Sequence, residues 1–221
     1  MEIGRIIMNK KRLVIIGGGF TGAYCAKRLQ NDFDITLIDG KEYFEFTPSI
    51  LKSIVNPENL KKIQIYHKDY LKNGKFILGS VSEINKGYVV IDKKRVMFDY
   101  LIIASGSRYN NPIKDSKIFI PQRGKEISEF SKKIREAKSI LVVGGGIVGI
   151  ELASEIATKC GKKEINLIDA GGELLPRNNE KTRKFVCDFL KSKGVEIING
   201  EKVINNEENV FLTDKKRKIR A

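Results

Sequence analysis

One device occurs twice in this chain, and it restricts the fold more than any other feature. The apolar run Leu13 to Ile16 leads into Gly17, Gly18, Gly19, Phe20, Thr21 and Gly22, then into a helix-like segment through Leu29. The plan returns as Ile140 to Val143, then Gly144, Gly145, Gly146, Ile147, Val148 and Gly149, then a helix-like segment through Lys159. Each copy continues into a second apolar run that stops on an acid, Ile35 to Asp39 in the first and Ile165 to Asp169 in the second. Strand, glycine turn, helix, strand, and an acid about 20 residues on is the pattern of a dinucleotide-binding βαβ unit. A lone glycine loop would be weak, since glycines also make ordinary turns. Two loops with complete flanking context predict two dinucleotide sites.

The chemistry explains the spacing. Gly17 and Gly144 permit the tight turn off the strand, and Gly19 and Gly146 lack the Cβ that would keep a pyrophosphate from the backbone. Gly22 and Gly149 let helix and sheet approach closely. The pyrophosphate is expected at the helix N-terminus, on free N–H groups and the positive end of the dipole. Gly18, Phe20 and Thr21 complete the first loop, as Ile147 and Val148 complete the second. Asp39 and Asp169 end their strands where a carboxylate accepts hydrogen bonds from ribose hydroxyls.

Between the copies, Lys75 to Ile84, Tyr88 to Ile91 and Arg95 to Phe98 read as short strands of an antiparallel meander. Tyr100 to Ala104 reads as a strand buried on both faces, ending in Ser105, Gly106 and Ser107. A linker with Pro112 and Pro121 precedes a helix expected over Lys125 to Ala137. Asn179 to Lys191 has helical apolar spacing in Phe185, Val186, Phe189 and Leu190, and Gly194 ends that helix. Val195 to Ile198 and Asn209 to Thr213 read as strands. The expected fold is therefore α/β, with two Rossmann-like dinucleotide-binding domains, each a three-layer arrangement on a parallel sheet, and an antiparallel meander. The boundary falls near residue 108, giving domains 1–107 and 108–221.

Composition excludes other classes. No apolar run approaches the roughly 20 residues that span a bilayer, and the stretch before Lys10 lacks a signal peptide's apolar centre, so a cytoplasmic location is the default. Cys25, Cys160 and Cys187 form no CxxC pair, which argues against a disulfide framework, a zinc site or a thioredoxin-like centre. His67 is the only histidine. It sits in a Lys/Tyr-rich stretch, reads as a surface residue and receives no role; no metal site is expected. The net charge of +14 suits nucleic acid, an anionic membrane face or anionic cofactors without choosing among them. Lysines are spread along the chain, however, and nucleic acid is not the favoured partner.

The order of glycine loop, meander, apolar strand with a small-residue turn, and second glycine loop resembles the FAD-dependent pyridine nucleotide oxidoreductases. Within them, Phe46, Thr47 and Pro48 after Asp39 resemble the type II NADH dehydrogenases and their apoptosis-inducing-factor-like relatives. The resemblance implies that the first loop holds the FAD pyrophosphate, Asp39 the adenosine ribose and Lys41 the adenosine end. It implies that Thr47 and Pro48 run along the FAD, that Val81 reads adenine through its backbone, and that Ala104, Ser105 and Gly106 turn past the flavin. Glu151, in Gly149, Ile150, Glu151, Leu152, Ala153, is implied to lie where nicotinamide meets flavin. The alternative is that Glu151 only suits a helix's first turn and its dipole.

The resemblance also implies hydride transfer from NADH to FAD and onward to a small-molecule acceptor such as a quinone, with peripheral contact at the inner face of a membrane. NADH is favoured over NADPH because Asp169 would face the 2′-phosphate, and like charges about 4 Å apart repel by roughly 4 kcal/mol at an effective dielectric near 20. The family's redox cysteines have no counterpart over Tyr43 to Lys52, which sets dithiol relay aside. The family continues beyond a strand like Lys218 to Arg220 into a segment that completes the FAD site. The expectation is therefore a chain that lacks the C-terminal part of the fold, with a separate chain as one way to supply it, and that alone holds FAD weakly. The rival readings are a nucleotide-binding fragment, an apoptosis-inducing-factor-like redox sensor without turnover of its own, and a nucleic-acid-associated flavoprotein.

Overall fold

The computed structural model describes residues 10–107 and 123–221. The stretch before Lys10, the linker with Pro112 and Pro121, and the boundary near 108 lie outside them. Of the described residues, those of Met1–Pro48 and Leu60–Arg123 form one compact unit, and those of Ser49–Asn59 and Gly124–Ala221 form the other.

In the first unit, β1 (Arg12–Ile16), β2 (Asp34–Asp39), β5 (Gly74–Leu78) and β9 (Tyr100–Ile103) form a parallel sheet in the order β5-β2-β1-β9. Helix Phe20–Leu29 joins β1 to β2. β1 reads as a continuous apolar run because both of its faces are covered. Leu13 and Ile15 pack with Ala26, Ile35 and Leu37 on one side, and Val14 packs with Ile38, Val89 and Ile91 on the other. That second face is covered by an antiparallel meander of β6 (Val81–Asn85), β7 (Tyr88–Ile91) and β8 (Lys94–Met97). Helix, sheet and meander make the expected three layers. A small ladder of β3 (Tyr43–Glu45) and β4 (Gln64–Tyr66) leads into the short helix His67–Tyr70.

Three expectations for this unit are corrected. Lys75 to Ile84 is two strands: the chain breaks at Gly79, whose N–H donates to the carbonyl of Asp39, so β5 extends the parallel sheet while β6 opens the meander. β9 is not buried on both faces, for it is the edge strand of its sheet, with Tyr100 56% and Ile103 61% exposed. His67 is no surface residue; it is completely buried.

In the second unit, β10 (Ser139–Val143), β11 (Glu164–Asp169) and β12 (Val195–Asn199) pair in parallel in that order. Helix Arg123–Glu136 precedes β10, helix Ile147–Lys159 joins β10 to β11, and helix Glu180–Ser192 joins β11 to β12. A sheet of β13 (Val203–Glu207), β14 (Val210–Thr213) and β15 (Lys218–Arg220) follows. Its Ile219 and Phe211 pack on Ile168 and Ile198. The helix Ile50–Val55 belongs to this unit because it packs on helix Ile147–Lys159, burying Ile50, Leu51, Ile54 and Val55. The apolar spacing of Glu180–Ser192 overstates its buried face: Leu190 is completely buried, but Phe185 is 70% exposed.

Candidate functional site

The two glycine loops have the same local geometry. Gly17 and Gly144 adopt φ of +97° and +111°, in the left-handed region where a side chain is strained. Their N–H groups donate to Ile38 O at 2.7 Å and Ile168 O at 2.8 Å, so each loop leaves β1 or β10 by bonding the last turn of the neighbouring strand. A Cβ on Gly22 would collide with the carbonyl oxygen of Gly17, and one on Gly149 with that of Gly144. A Cβ on Gly19 or Gly146, by contrast, would meet nothing within 4 Å. These two positions cap helices Phe20–Leu29 and Ile147–Lys159 without a side-chain cap bond. The first intrahelical bonds are Ala23 N–H to Gly19 O and Ile150 N–H to Gly146 O. The N–H groups before them therefore have no intrahelical acceptor. Such a terminus is suited to an anion.

Each acid clasps its loop. Gly18 N–H donates to Asp39 Oδ2, and Lys41 N–H donates to Asp39 Oδ1 at 2.7 Å. Gly145 N–H donates to Asp169 Oδ2 at 2.6 Å, and Gly171 N–H to Asp169 Oδ1 at 2.7 Å. Each carboxylate thus holds the middle glycine of one loop with one oxygen and the turn after its own strand with the other. A carboxylate oxygen has a second lone pair, so a ribose hydroxyl remains a feasible further donor.

The first loop opens into a cleft of about 840 Å³. Gly17, Gly18, Gly19, Phe20 and Thr21 line it, with Asp39, Lys41 and Thr47. Val81, Ala104, Ser105 and Gly106 line it as well. Gly22 lies beneath the loop in the helix, and Pro48 is not part of the lining. Phe20, 51% exposed, meets Phe44 and Phe46 edge to face at centroid distances of 5.2 and 5.5 Å, which gives the cleft an aromatic corner. The Lys41 ammonium lies 5.7 Å from the centre of the Tyr43 ring.

In the second loop, Ile147 is 70% exposed where the helix begins. Glu151, one turn on, is half-buried, and burial together with Glu155 pushes its carboxyl above the usual range while Lys52 pulls it down. Cys25, Cys160 and Cys187 are half-buried free thiols, and burial pushes the Cys160 thiol up. Among the described residues no three His, Cys, Asp or Glu side chains gather as a metal site, and no helix is long and apolar enough to cross a membrane.

Sequence reasoning missed His67. Its ring packs against Gly18, so closely that a Cβ there would strike it. Nothing local marked it, because its burial follows from the pairing of β3 with β4 and from Phe76 of β5, 4.8 Å from its ring centre.

Comparison with known proteins gives the loops their context: residues 11–221 match the pyridine nucleotide-disulphide oxidoreductase family. The chain belongs to that family. Among its relatives, apoptosis-inducing factor homolog B of Dictyostelium discoideum is 38% identical over 215 residues, 90% of this chain and 54% of that protein. Ferroptosis suppressor protein 1 of Xenopus tropicalis is 33% identical over 200 residues, 88% of this chain and 53% of that protein. The chain therefore spans about half the length of the curated relatives it matches. Among solved structures, NDH2 from Plasmodium falciparum in complex with NADH superposes with a TM-score of 0.76 at 19% identity, over 96% of this chain and 53% of that one. This likeness supports the pyridine nucleotide-disulphide oxidoreductase fold.

Proposed function

We propose that the chain carries the FAD and NADH sites of an FAD-dependent NADH oxidoreductase that passes electrons to a small-molecule acceptor such as a quinone. The observation that carries this reading is the duplicated clasp, in which Asp39 and Asp169 hold matching glycine loops whose Gly19 and Gly146 leave room where a Cβ would project. Those cradles fit two pyrophosphates. The cleft of the first unit has the volume of a cofactor pocket, in the general range of about 300–1,000 Å³.

In this reading domain 1–107 binds FAD through Gly17, Gly18, Gly19, Phe20, Thr21 and Gly22. Asp39 accepts from the ribose, Lys41 faces the adenosine end, and the Val81 backbone reads adenine. Thr47, Pro48, Ala104, Ser105 and Gly106 follow the flavin. Domain 108–221 binds NADH through Gly144, Gly146, Ile147, Val148 and Gly149, with Asp169 at the ribose and Glu151 at the nicotinamide end. When bound, FAD supplies the redox chemistry as acceptor of the nicotinamide hydride. The protein's part is to hold the two partners and exclude competing reactions. The Asp169 carboxylate disfavours a 2′-phosphate, which makes NADH the reductant.

The test is a titration with FAD followed by anaerobic addition of NADH. Saturable quenching of flavin fluorescence, then bleaching of the flavin band by NADH, is the expected result. A protein that takes up no FAD at neutral pH overturns the reading.

A further inference from the structure

The two copies of the loop differ in what fills the space beneath the second glycine. In the second unit it is the apolar side chain of Leu174, which a Cβ on Gly145 would strike. In the first unit it is the imidazole of His67. A Cβ built on Gly18 would lie 2.6 Å from His67 Nε2 and 3.1 Å from Asp39 Oδ2, so ring and carboxylate converge on one point under the loop. A titratable ring thus occupies, in one copy only, a position that packing alone could satisfy.

His67 is completely buried, and its Nδ1 lies 2.6 Å from the Tyr70 hydroxyl. Its Nε2 is buried without a hydrogen-bond partner. Tyr70 is itself held, since its carbonyl accepts a bond from the buried Gln30 amide, and burial and Asp39 push its hydroxyl up, keeping it a donor. With the Tyr70 hydroxyl donating to Nδ1, the neutral ring carries its proton on Nε2. That tautomer suits its neighbour, because an N–H beside Asp39 is attracted where a bare lone pair would be repelled. A second proton must go to Nδ1, and the Tyr70 hydroxyl must then turn its own proton away to accept from it.

We propose that His67 is a positioning residue of the first dinucleotide loop, whose neutral ring props Gly18 and Asp39 in the binding geometry and whose protonation loosens that loop and the flavin it holds. The proposal rests on the assignment of FAD to this loop. The groups that face the ring are Asp39 at the end of β2, the Lys41 backbone and ammonium in the turn after it, and Tyr70 on its own helix, while the His67 backbone N–H donates to the Glu42 carbonyl at 2.9 Å. Phe76 from β5 adds only an apolar face. Burial holds the ring below its ordinary value of 6.5, against the pull of Asp39 and the Lys41 backbone. A lowered folded value means that the neutral ring's contribution is complete above 6.5 and is lost as pH falls through the folded value. The second loop, propped by Leu174, has no such dependence.

Because the chain has a single histidine, its ring Cε1–H signal is unambiguous by NMR. The expected titration midpoint lies below the ordinary histidine value, and FAD moves it lower still, since coupling between proton and ligand is reciprocal. The FAD Kd should rise as pH falls through that midpoint, by up to about tenfold for each pH unit below it, while NADH affinity stays flat. His67→Leu, which reproduces the second copy, should remove the slope. Tyr70→Phe, which keeps the ring in place, should shift the slope to higher pH by freeing Nδ1. An unperturbed or raised midpoint, an FAD Kd that is flat or falls with acid, or equal slopes in wild type and His67→Leu each overturn the proposal. Failure of the wild type to bind FAD at pH 7.5 would instead remove the assignment of the loop, while the NMR midpoint would still report the buried ring.

Discussion

Gly145 and Asp169 are joined by a 2.6 Å hydrogen bond from the glycine N–H to carboxylate Oδ2, across 24 positions of sequence, and Gly18 and Asp39 are joined in the same way in the first unit. The acid that ends the second strand is therefore also a structural clasp on the loop that follows the first. This dual duty changes what its removal should do.

Asp169→Ser should shift cofactor preference toward NADPH by about 1–4 kcal/mol in kcat/KM discrimination, because the charge that repels a 2′-phosphate is gone. It should also lower kcat/KM with both cofactors, since serine is too short to hold Gly145 and Gly171 together, and each lost bond costs about 1–3 kcal/mol. Steady-state kinetics with both nucleotides separates the two effects. An unmoved NADH/NADPH ratio would mean that Asp169 does not face the ribose.

Gly19→Val should abolish flavin binding without unfolding the first unit, because its Cβ meets no protein atom within 4 Å. Gly22→Val should unfold that unit, because its Cβ collides with the Gly17 carbonyl. Thermal melting without ligand, set beside a flavin titration, distinguishes them. If Gly19→Val still binds flavin, the open side of the loop is not the pyrophosphate site.

Gly146→Val is the counterpart in the second unit. It should leave flavin bound and raise the NADH Kd by roughly tenfold or more, since the branched side chain occupies the cradle. Equilibrium NADH titration decides, and an unchanged Kd would reject the second loop as the nucleotide site.

Glu201 accepts bonds from Arg217 Nε and Nη2 at 3.0–3.1 Å and from Thr213 Oγ1 at 2.9 Å, tying the β14–β15 turn to the end of β12. The Arg217 guanidinium and the Thr213 hydroxyl hold its carboxyl below the ordinary glutamate value of 4.5. A lowered folded value means that this stability is present above 4.5 and is lost as pH falls through the folded value. Glu201→Gln should lower the melting temperature of the second unit at neutral pH and flatten its loss in acid. Melting curves across the acid limb that keep the wild-type slope would count against the role of this pair.

Asn179 caps helix Glu180–Ser192, its side-chain oxygen accepting from Thr182 N–H at 2.9 Å. Asn179→Ala should cost about 1 kcal/mol of unfolding free energy, measured by denaturant titration. A loss near zero would mean that solvent replaces the cap.

By itself the sequence determined the two loops, their acids, and the strands and helices that flank them. Those signals are local: a glycine that needs positive φ, an apolar run, a helical period and an acid at fixed spacing need no distant partner to be read. Only the tertiary structure decided that Lys75 to Ile84 divides between two sheets, that Tyr100–Ile103 is an edge strand, and that Ser49–Asn59 packs with the second unit. It alone placed His67 beneath Gly18, 49 positions away, where Leu174 stands in the other copy. Each of these depends on which segments meet across long stretches of chain. A histidine among lysines and tyrosines has the same local pattern whether water or a folded loop lies against its ring.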